Sequence, residues 1–192
     1  MINIKDMKPK DTKIGILGAG KSGISASKLA TYLGFDVLLS DSSSDINKID
    51  IDNIKLETGK HSKNVLESDL IIKSPGIPTD SDIIKNINKN NIPIISEIEF
   101  ASWFSISPII GVTGTNGKTT TVNLIHKIFS KAGFNSMIGG NIGIPFSDNV
   151  YKENQSKHDN GIHILELSSF QLEHVRDLCL EAYPALKCLD QE

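Results

Sequence analysis

Three features are scarce in this 192-residue chain: long apolar runs, cysteine, and an excess of positive charge. No stretch reaches the roughly 18 consecutive apolar residues that a membrane-spanning helix needs, and the N-terminus lacks the apolar core of a signal peptide. We therefore expect a soluble cytoplasmic protein with no membrane association. The formal net charge is −3 and the basic residues are scattered, so a nucleic-acid partner is not expected either.

The two cysteines, Cys179 and Cys188, lie near the C-terminal end without a CxxC spacing or a nearby pair of histidines. Free thiols are favoured over a metal site or a disulfide. The histidines also have no spacing typical of ligation or general-base catalysis, and we interpret them as surface or core residues. They are His61, His126, His158, His163 and His174.

The most informative stretch is residues 111–121, GVTGTNGKTTT, between an apolar run and a helical pattern. A strand that ends in glycines and opens into a helix directs backbone N–H groups to one place, where the helix N-terminus adds partial positive charge. Lys118 would add a full charge, and Thr119 a hydroxyl for a phosphate-bound Mg²⁺. The strict phosphate-loop pattern fails, because Val112 stands where its first glycine belongs. We predict a nucleotide-phosphate site, with an ordinary β-to-α turn as the alternative.

A second glycine loop follows the first predicted strand, residues 13–17, and reads GAGKSG over residues 18–23. A predicted helix over residues 24–33 and a strand over residues 37–39 come next, and Asp41 ends that strand. This order matches the dinucleotide fingerprint, in which an acid about 20 residues on accepts ribose hydroxyls. The ligand stays open at this point: NAD, FAD, another diphosphate nucleotide, or an empty Rossmann-like crevice.

Strands and helices alternate up to residue 104, which predicts a Rossmann-like parallel-sheet N-terminal domain over residues 1–106. A partial P-loop-type α/β domain is predicted over residues 107–192, with residues 178–192 as an atypical tail. The remaining predicted elements of the first domain are strands 54–56, 70–72 and 92–95 and helices 80–88 and 97–104. The two glycine loops predict one phosphate-bearing ligand per domain.

In the second domain the predicted helix over residues 118–132 has a core stripe of Val122, Ile125, Ile128 and Phe129. A later strand over residues 163–167, HILEL, carries Glu166 near its end. A carboxylate beside a phosphate loop is where nucleotide triphosphatases hold their metal, and an acid in an apolar strand is costly unless it is paired or metal-bound. Asn141, in the GGNIG turn, is either a turn former or a ligand contact.

GVTGTNGKTTT, GGNIG and ELSSFQLE, behind a first domain with GxGxSG and SPGI, resemble the Mur ligases of peptidoglycan synthesis, and among them the D-glutamate-adding (MurD) type. The resemblance runs from about Lys13 to Val175. The alanine-adding relative usually has histidine where this chain has Asn116, and the third ligase lacks this kind of first domain.

The resemblance implies an ATP- and Mg²⁺-dependent enzyme that joins D-glutamate to UDP-N-acetylmuramoyl-L-alanine through an acyl phosphate, acting as a monomer. It implies Lys118 and Glu166 as catalytic residues, and Thr119 and Glu166 as metal ligands. The implied ATP-binding residues are Gly114, Thr115, Asn116, Gly117, Lys118, Thr119 and Thr120. The implied substrate-binding residues are Lys21, Ser22, Asp41, Ser42, Gly76 and Asn141.

The chain departs from the family pattern after ELSSFQLE, because the expected histidine metal ligand, a carbamylated lysine and a third domain have no counterpart in the sequence. On this basis we expect an incomplete fragment without ligase activity. Three other interpretations remain: an alanine-adding relative, a dinucleotide-dependent oxidoreductase that leaves GKTTT unexplained, and a non-catalytic nucleotide-binding module.

Overall fold

The computed structural model describes residues 7–46, 51–156, 160–172 and 174–175. They form two parallel sheets flanked by helices, which confirms the predicted α/β class. The strands are β1 (Lys13–Leu17), β2 (Asp36–Ser40), β3 (Ile54–Glu57), β4 (Leu70–Lys73), β5 (Ile94–Ser96), β6 (Ile109–Val112), β7 (Asn135–Gly140) and β8 (Gly161–Glu166). The helices are α1 (Lys21–Tyr32), α2 (Asp82–Lys89), α3 (Glu97–Ser102), α4 (Lys118–Lys131), α5 (Phe146–Ser156) and α6 (Ser169–Leu172).

The first sheet has the strand order β3-β2-β1-β4-β5. Its central strands are short apolar runs because both of their faces are covered. The chain moves outward from β1 to β3 and then returns to the other side of β1 with β4. The strand order therefore reverses at β1, and in open parallel sheets ligands bind in the crevice beyond the carboxyl ends at such a point. The GAGKSG loop lies there.

The second sheet has the order β6-β8-β7, so β8 is central among the strands that the structure describes. Its register aligns Val112, Glu166 and Gly140 across the carboxyl ends of the three strands. The phosphate loop, Glu166 and the GGNIG turn therefore meet at one edge of the sheet.

Helix α5 was not predicted, because its sequence, FSDNVYKENQS, is mostly polar. The helix nevertheless buries Phe146 and Val150 in the apolar cluster that includes α1 and α3 of the first sheet. Tyr151 adds an edge-to-face ring contact with Tyr32 of α1, with the ring centroids 5.2 Å apart. The two sheets therefore share one core, and the division of the chain at residue 106 stays a prediction.

The predicted core stripe of α4 is only partly right. Val122 is fully buried, but Ile128 is 57% exposed, and Ile125 and Phe129 are half-buried. The physical reason is that the three described strands offer α4 a narrow surface, so one line of the helix contacts them.

Several predicted boundaries shift by a few residues. Helix α1 begins at Lys21 rather than at Ile24, so the end of the glycine loop is already its first turn. Helix α3 ends at Ser102, and β7 continues through Gly140 into the predicted turn. The tail 178–192, both cysteines and His158 lie outside the described residues. Of the helices that the structure describes, none has the length and apolar character to cross a membrane.

Candidate functional site

The phosphate loop connects β6 to α4, and its glycines set its shape. Gly117 caps α4 in the left-handed conformation, with φ of 79°, which a residue with a side chain adopts only under strain. The first turn of α4 begins at Lys118, and N–H groups in a first turn have no partner within the helix. The predicted ATP-binding residues, Gly114 to Thr120, form this loop and this first turn.

Lys118 is folded across the loop. Its Nζ donates a hydrogen bond to the carbonyl oxygen of Gly114 at 2.6 Å and lies 3.5 Å from that of Thr115. The ammonium group therefore lies beside the loop backbone, where a phosphate oxygen could replace the carbonyl as its acceptor.

Glu166, at the carboxyl end of β8, forms hydrogen bonds with two residues that lie in different motifs of the sequence. Its Oε2 accepts a hydrogen bond from the Thr119 hydroxyl at 2.6 Å, and its Oε1 accepts one from Asn141 Nδ2 at 2.9 Å. The backbone N–H of Asn141 also donates to the Glu166 carbonyl at 2.8 Å. The sequence allowed Asn141 to be a turn former or a ligand contact. In the structure its side chain contacts the candidate metal ligand, Glu166.

Glu166 is charged at neutral pH although the residue is only 3% exposed. The hydrogen bond from Thr119 lowers the pKa of this carboxyl below its ordinary 4.5, against the effect of burial, and the bond from Asn141 and the charge of Lys118 lower it further. An ionised carboxylate and a hydroxyl are the oxygen donors that Mg²⁺ prefers. The donor set therefore fits this ion. Within the described ranges, no three His, Cys, Asp or Glu side chains form a cluster that could hold a metal.

Gly140 allows β7 to approach β8 closely at this edge. A Cβ atom on Gly140 would lie 2.3 Å from the Glu166 carbonyl oxygen. No side chain fits there, and the glycine keeps Asn141 within hydrogen-bond reach of Glu166.

The GAGKSG loop, residues 18–23, packs as closely against its neighbours as Gly140 does against β8. A Cβ atom on Gly23 would lie 1.8 Å from the Gly18 carbonyl oxygen, so α1 begins directly against the end of β1. Ser74, just after β4, donates its hydroxyl to the same carbonyl at 3.3 Å. The SPG turn that contains exposed Gly76 therefore lies beside the glycine loop, across the switch point.

Asp41 links the end of β2 to this loop. Its Oδ2 accepts a hydrogen bond from the Ala19 N–H at 2.6 Å, and its Oδ1 accepts one from the Ser43 N–H at 2.8 Å. Ser42, between them in sequence, is exposed. Lys21 and Ser22 lie in the first turn of α1. The structure thus brings five predicted substrate residues to the carboxyl edge of the first sheet, whereas Asn141 lies on the second sheet. Their contacts with a ligand stay predictions.

A cluster of hydrogen-bonded polar side chains at this edge of the first sheet was not predicted from the sequence. The buried Ser40 hydroxyl donates to Glu57 Oε1 at 2.6 Å and lies 2.8 Å from His61 Nδ1. Because the single hydroxyl hydrogen goes to the carboxylate, Nδ1 of His61 is the donor in the second bond. Burial raises the pKa of Glu57, but hydrogen bonds from Ser40 and Ser62 outweigh it and lower the pKa below 4.5. No spacing in the sequence signals this cluster, because strand pairing creates it.

Comparisons with known proteins identify the family of this chain. Residues 12–96 match the Mur ligase MurD-like N-terminal domain, and residues 112–186 match the Mur ligase middle domain. The chain belongs to the Mur ligase family. The second match extends into the stretch 178–192.

Curated relatives of this Mur ligase chain include two proteins named UDP-N-acetylmuramoylalanine–D-glutamate ligase. The protein from Chloroherpeton thalassium is 41% identical over 175 residues, covering 86% of this chain and 36% of the relative. The protein from Christiangramia forsetii is 44% identical over 168 residues, covering 85% of this chain and 37% of the relative. The chain thus spans little more than a third of the length of these relatives.

Among solved structures, the murein peptide ligase Mpl of Psychrobacter arcticus has a TM-score of 0.51 at 21% identity, covering 81% of this chain and 37% of that protein. At this identity the likeness shows the fold alone. It is consistent with the parallel α/β fold of this Mur ligase chain.

Proposed function

We propose that this chain carries the nucleotide-substrate site and the ATP-phosphate site of an ATP-dependent amide ligase. The ligase adds D-glutamate to UDP-N-acetylmuramoyl-L-alanine, in the cytoplasm and as a monomer. The observation that carries the proposal is the contact of Glu166 with both Thr119 and Asn141 beside the glycine loop. The hydrogen bond between Asp41 and the second glycine loop supports a separate nucleotide site, and this site does not require hydride chemistry.

The proposed reaction has two steps. A carboxylate oxygen of the alanyl group attacks the γ-phosphorus of ATP; the bond to the bridging oxygen breaks and ADP leaves. The amine of D-glutamate then attacks the carbonyl carbon of the acyl phosphate; the amide bond forms, inorganic phosphate leaves, and the amine loses a proton to solvent. Both steps require stabilisation of charge on phosphoryl oxygens.

The residues of the second sheet are suited to this task. Lys118 and the N–H groups at the start of α4 bind phosphate oxygens and hold the transferring group in place. The hydroxyl of Thr119 and the carboxylate of Glu166 would hold Mg²⁺, which when bound would neutralise negative charge on the phosphates. Asn141 orients Glu166 and faces the substrate. In the first sheet, Asp41 and the loop with Lys21 and Ser22 bind the uridine part, and Gly76 lets the diphosphate approach the backbone.

The first experiment is calorimetric titration of the chain with UDP-N-acetylmuramoyl-L-alanine, with UDP-glucose as the control, followed by titration with MgATP. We expect binding of the muramoyl nucleotide in preference to UDP-glucose, and separate binding of MgATP. Binding of MgATP without affinity for the muramoyl nucleotide, by a chain shown to be folded, would indicate a nucleotide-binding module instead. Preference for the substrate without the alanine would indicate the alanine-adding relative.

A further inference from the structure

Glu97 is a buried carboxyl group that the proposed reaction does not use. It lies at the start of α3, directly after β5, and only 3% of the residue is exposed. Its Oε1 accepts a hydrogen bond of 2.5 Å from the backbone N–H of Ser147, in the first turn of α5. Since α5 follows the GGNIG turn of the second sheet, this bond crosses from one sheet to the other.

An acceptor at this place caps α5. The first N–H groups of a helix have no internal partner, and an acidic group there also interacts favourably with the helix dipole. The acceptor for the Ser147 N–H does not come from α5 itself. It is Glu97, which begins α3 directly after the last strand of the first sheet. The same end of β5 makes a second contact, because the N–H of Ser96 donates to the carbonyl of His174 at 3.3 Å.

The segment between Asn141 and α5 is short and held at both ends. The N–H of Gly140 donates to the carbonyl of Ile144 at 3.3 Å, which ties the end of the segment back to β7. Asn149 of α5 donates its side-chain N–H to the carbonyl of Ile138 at 3.0 Å. A shift of the start of α5 would therefore move the turn that places Asn141 on Glu166.

We propose that Glu97 is a positioning residue for the second site. By fixing the start of α5 it holds Asn141 on Glu166, so the first sheet sets the geometry of the carboxylate that would hold the metal. The proposal rests on the function proposed above. It also gives a physical route by which the substrate-binding half of the chain is kept in register with the phosphate-binding half.

The matched control is Glu153, a second buried carboxyl on α5. Its Oε2 lies 3.2 Å from His163 Nε2 and accepts from the Ile106 N–H at 3.2 Å. Glu153 thus also connects α5 to other elements, but near the end of the helix that is remote from Asn141. A loss that reflects general loosening of α5 would appear in both variants, whereas a loss transmitted through the turn would appear only at Glu97.

The first test measures MgATP binding by calorimetry at pH 8 in Glu97→Gln, Glu97→Ala and Glu153→Gln, each also made with Asn141→Ala. We expect Glu97→Ala to weaken MgATP about tenfold, and less than about twofold once Asn141 is already alanine, because coupled residues are not additive. Glu97→Gln retains an acceptor and should lose less, and Glu153→Gln should stay within about twofold of the parent. Equal losses at Glu97 and Glu153, or full additivity with Asn141→Ala, would overturn the proposal.

The second test needs no nucleotide. Burial raises the pKa of Glu97 to about 7, and the nearby charge of Asp148 contributes to the rise. The other charged residues on α3 and on the elements packed against it are Glu99 in α3, Lys73 at the end of β4, Lys21 and Lys28 on α1, and Lys152 and Glu153 on α5. We expect the NMR signal of the Asn141 side-chain amide to shift between about pH 6 and pH 8 in the parent and in Glu153→Gln, but not in Glu97→Gln. The same pH response in all three would overturn the proposal even if MgATP binds as expected. Failure of the parent to bind MgATP would count against the proposed function and leave this second test to decide the role of Glu97.

Discussion

Thr119 and Glu166 are 47 residues apart in the chain, yet their side-chain oxygens form a hydrogen bond of 2.6 Å. One residue follows the phosphate loop and the other ends the central strand of the second sheet, so the contact places a hydroxyl and a carboxylate where a phosphate-bound cation would lie.

Glu166→Gln should remove most of the Mg²⁺ contribution to ATP binding, because the amide keeps the shape but loses the charge. We expect ATP affinity in the presence of Mg²⁺ to fall by about tenfold or more, and affinity with EDTA to change little. The lowered pKa of Glu166 keeps its carboxylate ionised at neutral pH, where the measurement is made. Calorimetry with Mg²⁺ and with EDTA gives the two affinities. A loss of the same size in EDTA would contradict the assignment.

Lys118→Ala and Asp41→Ala should affect different ligands. Lys118→Ala removes a charge from the phosphate loop and should weaken ATP by about tenfold, with the muramoyl nucleotide changed less than about twofold. Asp41→Ala releases the Ala19 N–H at the other loop and should do the reverse. Both affinities are measured for both variants. Equal losses of the two ligands in either variant would count against two separate sites.

Gly23→Ala should destabilise the chain, because the new Cβ atom would lie 1.8 Å from the Gly18 carbonyl oxygen. We expect a loss of about 3 kcal/mol in the free energy of unfolding, as for other overpacked core sites. Gly20→Ala, three positions earlier in the same loop, is the control: its Cβ atom would have no neighbour within 4 Å, and its φ of −77° suits alanine. Urea denaturation compares the two, and similar losses would show that the close contact is not the cause.

Glu97 and Glu153 should give opposite pH dependences of stability. The pKa of Glu97 is raised by burial to about 7, so the folded chain holds a proton that the unfolded chain releases above 4.5. The stability of the parent relative to Glu97→Gln should therefore fall as the pH rises from 4.5 to 7. Burial also opposes ionisation of Glu153, but hydrogen bonds from His163, Ser107 and the Ile106 N–H outweigh it and lower the pKa.

For Glu153 the pH dependence of stability has the opposite sign, because its pKa is lowered. Its stabilising contribution is present above 4.5, the ordinary pKa of a glutamate, and is lost as the pH falls below that value. The stability of the parent relative to Glu153→Gln should thus fall on acidification. Thermal unfolding of the parent and both variants from about pH 3.5 to pH 8 tests the pair. Parallel curves for the two variants would contradict the assignment.

The sequence was most informative where chemistry is local. Motifs and hydrophobic periodicity alone place both glycine loops, Asp41 and Glu166 at or near the ends of strands. The structure confirms these positions. Helix α5 could not be predicted, because its two buried residues, Phe146 and Val150, depend on a surface supplied by α1 and α3. The Ser40, Glu57 and His61 cluster and the Glu97 contact were missed for the same reason. The order of the strands in the sheets brings their partners together. The spacing of residues along the sequence does not predict this order.

The packing of α5 on α1 has a consequence for how the chain folds during synthesis. The helix that covers α1 and α3 is made some 40 residues after α3, and domains emerging from the ribosome otherwise fold as units, N-terminal part first. Here the part of the apolar cluster on α1 and α3 that packs against α5 stays uncovered until Phe146 and Val150 have emerged. A nascent chain halted between β6 and β7 would therefore expose this surface and be a substrate for chaperones. An exchange of the first 106 residues between relatives would keep its core only if α5 were exchanged with them.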